Sequence, residues 1–405
     1  MNPILTRIVL FSSLFVLFVP NLTSAESKTF IKEYTYQASD FDSKISSRTI
    51  ALEQVKRLLL EEVGTYLISE TAVKDFQVTK DNVTALTGGI VQTEILSEKW
   101  DGKTYYLKAK MTISPEEVTK FLEGMKENSQ KNRELEETNR RVEEALKKIK
   151  KMQDDLAVGH LAENKQQEYS KVVDELKAKE WIDKGVAMMN GENYEGALVA
   201  FTNAADANPQ SPWAFIDKGW ALNNVGDFHQ ALKEVDRAAA LDTLNPWIYV
   251  NRGTSQNSLG DYRQGLMDAE KAIKLDANIS WAYINRGWAY SGLGNFVEAL
   301  ADLTKAAQLE PQNAYTYSSR VWAHNGLGNN RQALVDVKKS IDLAPNNSWI
   351  RWNAAAYYAL AGDKATALAE LGKAVRLNSS LKQKAKIDKS FQSLWNDADF
   401  KKLVE

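Results

Sequence analysis

The side chains that ordinarily do chemistry are scarce in this chain. Its 405 residues include three histidines, His160, His229 and His324, and no cysteine. The histidines are scattered, which leaves little for a His-based metal site or a Ser-His-Asp constellation. Without thiols there is no Cys nucleophile, thiolate metal site, disulfide or lipidated N-terminal Cys. The sequence also holds no phosphate loop and no nucleophile elbow. Catalysis, cofactors and metals are therefore not expected. What recurs instead is an aromatic residue. Trp213, Trp247, Trp281, Tyr315 and Trp349 stand 34 residues apart, and Trp220, Trp288 and Trp322 follow three of them by seven. Asn251, Asn285 and Asn353 keep the same register. Aromatic faces give large, rigid contact area with little rotamer entropy to lose. An amide offers a peptide backbone both a donor and an acceptor. That chemistry is binding.

The elements that position these residues repeat with the same period. Gly226, Gly260, Gly294, Gly328 and Gly362 are also 34 residues apart. Gly219, Gly253 and Gly287 precede three of them by seven, and Phe228, Tyr262 and Phe296 follow by two. Ala231, Gly265, Ala299, Ala333 and Ala367 follow by five, and Pro209, Pro311 and Pro345 close units. These residues resemble the tetratricopeptide repeat over residues 178–379. The resemblance implies six pairs of antiparallel helices stacked into a superhelix. Departures are Thr243 and Ala277 for the closing Pro, Val321 and Ala355 for the first Gly, and Asn330 and Lys364 for the aromatic.

With units starting at Ala178, Pro212, Pro246, Ser280, Ala314 and Ser348, each first helix presents two stripes. Positions two, five, six, nine and thirteen cluster at 100° per residue. In the resembled family that side lines a concave groove. The aromatics fill positions two and nine, and the asparagines fill position six. This predicts a groove for an extended polypeptide, with Trp213, Trp220, Trp247, Trp281, Trp288, Tyr315, Trp322 and Trp349 as anchors and Asn251, Asn285 and Asn353 as rungs. The same aromatics also suit packing between neighbouring repeats. They equally suit stacking on sugars, so a cell-envelope glycan is the alternative ligand.

Position seven carries Lys218, Arg252, Arg286 and Arg320, and position twenty-three carries Glu234, Asp268, Asp302 and Asp336. Both positions are equidistant from the turn glycine at fifteen, so antiparallel helices set them side by side. Intra-repeat structural ion pairs are predicted. The first unit lacks them, with Lys184 opposite Ala200, and Ala354 opposite Glu370 breaks the rule in the last.

Residues 116–177 read as a charged helix. Leu135, Val142, Ile149 and Leu156 repeat every seven residues, with Ala145 and Met152 three positions later. This is either a coiled coil that pairs two copies through residues 128–156 or a rigid spacer. Residues 26–115 read as a small α+β module of strand, helix and hairpin. The helix follows a cap at Ser39-Asp40 and places Ile45, Leu52, Val55, Leu58, Leu59, Val63 and Leu67 on one face. The hairpin turns at Asp101-Gly102 with a type I′ preference. The GGIV start and the W-x-G-x-x-Y-Y run resemble the N-terminal domain of flagellar assembly protein T. That resemblance implies a docking module associated with the cell envelope.

Residues 1–25 pair Arg7 with the apolar run Ile8–Val19, ending in Thr23-Ser24-Ala25. This reads as a cleaved secretory signal, the alternative being an uncleaved anchor. A bacterial periplasmic location is expected. After Ser379 the register is lost, and residues 380–405 read as helices capping the array. With 51 basic and 53 acidic residues the net charge is −2, so nucleic acid is not an expected partner. The fold class is therefore mainly α: a solenoid of about six helix pairs with C-terminal capping helices, preceded by a long charged helix and a small α+β domain.

Overall fold

The computed structural model describes residues 27–69, 93–113, 140, 142–152, 154 and 163–405. The expected signal, the GGIV start of the hairpin, and Leu135 and Leu156 of the heptad seam lie outside the described residues.

The N-terminal module is a three-stranded antiparallel sheet under one helix. Its strands are β1 (Lys28–Gln37), β2 (Thr93–Trp100) and β3 (Thr104–Ile113), and α1 spans Lys44–Ser69. The spatial order is β1-β3-β2. Alternation along β3 turns Tyr105, Leu107, Ala109, Met111 and Ile113 to one face, where they pack with Ile50, Val55, Leu59 and Val63 of α1. The helix starts later than Ser39-Asp40 suggests. Ser43 and Ser46 cap it instead: the Ser46 amide donates to Ser43 Oγ and the Ser43 amide to Ser46 Oγ. The hairpin turn also shifts by one residue. Asp101 N–H donates to the Thr104 carbonyl, so Gly102-Lys103 is the central pair. Only Gly102 takes a positive φ, 97°, which is a type II′ pattern.

The described part of the heptad seam packs within the chain. Residues 142–152 are helical, and Ala145, Leu146, Ile149 and Met152 are buried in the module's own core. They share it with Tyr169, Val172, Val173 and Leu176 of α2 (Glu163–Asn190). Among the described residues this stripe is covered by the chain itself. The expected boundary at 177/178 also falls inside α2. This helix supplies Leu176 to the module core and Met189 to the core of the first repeat. Module and array are thus two cores on one 28-residue strut.

The second half of α2 and α3 (Tyr194–Ala207) form the first repeat. The next two are α4 (Pro212–Val225) with α5 (Phe228–Leu241), and α6 (Pro246–Leu259) with α7 (Tyr262–Leu275). The fourth and fifth are α8 (Ser280–Gly292) with α9 (Phe296–Leu309), and α10 (Ala314–Gly326) with α11 (Asn330–Leu343). The sixth is α12 (Ser348–Leu360) with α13 (Lys364–Leu377). Caps punctuate the period. Asn245, Asn313 and Asn347 accept backbone N–H groups at the starts of first helices. Asn193, Asp227, Asp261 and Asp363 do so for second helices. The periodic turn glycines all take left-handed φ, 90°, 85°, 83°, 74° and 81° in order. In the first repeat the same position is Glu192, which accepts φ 57°. Small residues let the paired helices approach: a Cβ at Gly287 would lie 2.7 Å from Leu303 Cγ.

The tail is α14 (Leu381–Ala385), a 3-10 turn (Lys389–Leu394) and α15 (Ala398–Val404). Leu381, Phe391, Leu394, Phe400 and Val404 cover the apolar face of the sixth repeat around Trp352 and Leu371. Among the described residues no helix is long and apolar enough to cross a membrane.

Candidate binding groove

Successive first helices touch one another, whereas successive second helices share no comparable contact. Closer packing on one side curves the stack, so the first helices line the concave wall. On that wall Trp213, Trp220, Trp247, Trp281, Trp288, Tyr315, Trp322 and Trp349 border one continuous cavity of about 2690 Å³. None of these eight is sealed in the core, and Trp220 is 38% exposed. The Trp281 and Tyr315 rings lie 5.0 Å apart, so neighbouring position-two aromatics also contact each other. Groove contact and inter-repeat packing are thus shared by the same side chains.

The asparagines Asn251, Asn285 and Asn353 border the same cavity, but their amides are already bonded to the neighbouring repeat. Asn251 and Asn285 are buried between repeats, and they cannot serve as free rungs. Asn251 Nδ2 donates to the Ile216 carbonyl at 3.3 Å, and Asn285 Nδ2 to the Val250 carbonyl at 2.7 Å. Each amide at position six thus binds the position-five carbonyl of the preceding repeat. Asn353 Nδ2 is spent on Ser318 Oγ at 2.9 Å. A buried amide must find partners, and the adjoining helix supplies them.

A second amide set does the reverse. Asn223 Nδ2 donates to the Asn251 carbonyl and Asn257 Nδ2 to the Asn285 carbonyl. Ser255 Oγ donates to Asn223 Oδ1 at 2.7 Å. Sequence reasoning passed over this set at position twelve, although Asn223, Asn257 and Asn325 recur there.

Behind the wall, charges meet across each helix pair. Lys218 Nζ lies 3.1 Å from Glu234, and Arg252, Arg286 and Arg320 each make two bonds of 2.7–2.9 Å to Asp268, Asp302 and Asp336. Hydrogen bonds to the partner carboxylate push all three guanidinium groups above their ordinary pKa, against the opposing effect of burial. Each arginine also stacks on the tyrosine three residues before it, Tyr249, Tyr283 or Tyr317, at 5.2–5.6 Å. The sixth repeat is rewired. Arg351, at the tyrosine position, bonds Glu370 at 2.7 Å. Its Nε also donates to the Pro345 carbonyl, where Tyr317 Oη in the fifth repeat reaches the equivalent Pro311 carbonyl.

The ends of the cavity are walled by other parts of the chain. At one end lie Arg48 and Lys56 of α1, which meet Glu53, Glu180 and Asp183. Burial raises the carboxyl pKa of Glu180 and Asp183, but the surrounding cations outweigh it and hold both below the ordinary range. At the other end the superhelix meets itself. Trp349 Nε1 of the sixth repeat donates to the Asn224 carbonyl of the second at 3.2 Å. Its ring lies 6.4 Å from Phe228, and Lys384 of the tail sits over both rings.

Sequence models of the tetratricopeptide repeat match residues 280–313 and 348–373. This is a tetratricopeptide repeat protein. No curated protein matches the chain. Among solved structures, a thermophilic tetratricopeptide repeat protein of Thermus thermophilus, TTC0263, is 21% identical, with TM-score 0.40. The match covers 44% of this chain and 98% of that one. MamA of Desulfovibrio magneticus RS-1 is 20% identical over 41% of this chain and 94% of its own, with TM-score 0.33. PilF of Pseudomonas aeruginosa is 16% identical over 55% and 97%, with TM-score 0.37. In this tetratricopeptide repeat protein no group of three or more His, Asp or Glu among the described residues could hold a metal ion. His229 is exposed, and His160 lies outside the described residues. Burial pulls His324 below its ordinary pKa, and its Nε2 is 3.7 Å from Asp336. His229 lies in the second repeat and His324 in the fifth.

Proposed function

We propose that the protein is a non-catalytic extracytoplasmic scaffold whose groove holds a polypeptide segment of a partner. A tetratricopeptide repeat array is a protein-interaction scaffold, and its concave wall is the usual extended binding surface. The observation that carries the reading is the aromatic wall: eight aromatic side chains of the stripe border one cavity instead of being sealed between helices. The N-terminal module, fixed to the array through α2, is the docking element toward the envelope. Residues 1–25 direct export.

The test compares wild type with Trp281→Ala/Trp288→Ala in a pull-down from envelope extract. Loss of co-purifying polypeptide from the variant supports the scaffold. Loss of polysaccharide retention alone would replace it with glycan binding. Fusing residues 1–25 to alkaline phosphatase checks export, with active enzyme outside the cytosol as the expected result.

A further inference from the structure

The charges on the cavity wall are unevenly placed. Where the N-terminal module and α2 close it, acidic and basic side chains among the described residues occur in equal number. Along the rest of the array they do not. Glu192, Asp217, Asp276, Glu310 and Asp388 border the cavity there, and among the described residues Lys384 is the one cation facing them. Three of these carboxylates accept from neutral donors: Asp276 from the Asn278 N–H, Asp388 from the Ser390 N–H, and Glu310 from Ser280 and Asn313. Such bonds favour the ionised carboxylate without cancelling its charge.

The acids stand among the rings. Asp217 lies one helical turn from both Trp213 and Trp220 on α4, so the three share one face. It fills position six, where Asn251 and Asn285 give an N–H to the preceding repeat. A carboxylate has no N–H to give. Asp217 is accordingly half-buried on the cavity wall, whereas those two amides are buried. Glu310 bonds Ser280, the chain neighbour of Trp281, and Asn313, the cap of the helix that carries Tyr315. Asp276 is its equivalent in the third repeat.

The chain itself shows what such a wall does with a cation. The Lys384 ammonium lies 4.5 Å from the centre of the Trp349 ring and 5.7 Å from those of Phe228 and Trp352. Burial opposes its charge and Asp388 favours it. Ring faces and one carboxylate thus hold an ammonium group at the clasp.

We propose that the occupant of the groove is a cationic polypeptide segment, its lysine and arginine side chains over the indoles with the carboxylates alongside. The inference rests on the groove being a polypeptide site. Indole offers the best cation–π face among side chains. A carboxylate beside it adds Coulomb attraction, which low-dielectric walls focus into the cleft. An acidic segment is repelled there, and a neutral glycan gains nothing from the charge.

The test is tryptophan fluorescence titration of the full chain with an alternating Lys-Ser decapeptide, an alternating Glu-Ser decapeptide and a glucan hexasaccharide. Saturable binding of the Lys-Ser peptide above the other two is expected, weakening as salt rises from about 20 to about 200 mM. Asp217→Asn keeps the side-chain shape and removes the charge; it should weaken that peptide about fivefold, the scale of one partly exposed ion pair. Asparagine already stands at this position in three other repeats, so the variant should melt as wild type does. Glu310→Gln, which keeps an acceptor for Ser280 and Asn313, is an independent second variant with a loss of the same size expected. Equal binding of the Glu-Ser peptide would overturn the charge inference while leaving the polypeptide groove standing. Binding of the hexasaccharide alone would overturn both. No binding of the Lys-Ser peptide, or an unchanged affinity in both folded variants, would overturn the proposal.

Discussion

Removing the arginine from one intra-repeat pair isolates what those pairs do. In Arg286→Ala, Asp302 loses bonds of 2.7 and 2.8 Å from one guanidinium. The Asp302 side chain is only 10% exposed, so water cannot fully replace them. Breaking a fully buried pair costs about 3–5 kcal/mol. Arg286 is itself 24% exposed, which lets water reach the vacated side and reduces that figure. Losing the stack on Tyr283 adds a little. The net expectation is about 2–3 kcal/mol of destabilisation. For an array of this size that is roughly 5 to 10 °C of melting temperature. Calorimetry and urea titration of Arg286→Ala and of Arg286→Met/Asp302→Leu separate the two parts of the reasoning. The single variant should melt lower, and the double variant should recover most of the loss because no charge is left unpaired. An unchanged melting temperature in Arg286→Ala would refute the argument.

Three further outcomes follow from the same structure. Arg351→Tyr should lower stability by about 2 kcal/mol because Glu370 loses its main partner, and adding Ala354→Arg should restore the urea midpoint by rebuilding the wiring of the other repeats. Glu192→Gly should raise the melting temperature, since relieving a left-handed φ on a residue with a Cβ is worth about 1 kcal/mol; a lower one would contradict the strain assigned to that turn. Acid should loosen the module from the array. Glu180 and Asp183 titrate below their ordinary values of 4.5 and 3.8, so their contribution is present above those values and is lost as pH falls through the folded ones. Hydrogen exchange at α1 and α2 should accelerate over that acid window before the later repeats respond.

The period made most of the array legible. Glycine at a fixed spacing states where the chain must turn, and small residues beside it state where helices touch. The pairing of position seven with twenty-three needed only symmetry about that turn. The asparagines were harder. Their spacing put Asn251 and Asn285 on the groove side, but a straight-helix projection does not carry the neighbouring repeat, whose carbonyls claim them. The heptad seam was ambiguous for a related reason. Ile149 and Met152 do form an apolar stripe, yet a stripe does not say whether its cover is another copy or the same chain. The boundary at 178 was invisible because the repeat register begins midway along a helix. The Trp349 contact with Asn224 joins residues 125 positions apart, and no local pattern encodes it.

That last contact changes what kind of object the array is. An open spiral of repeats frays from its ends, each coil answering only to the ones beside it. Here the hoop is buttoned, so loosening the final coil also frees the lip of the second, and the two ends of the spiral share one fate. Cargo crossing at the button must enter endwise like a thread through a bead, or wait until it comes undone.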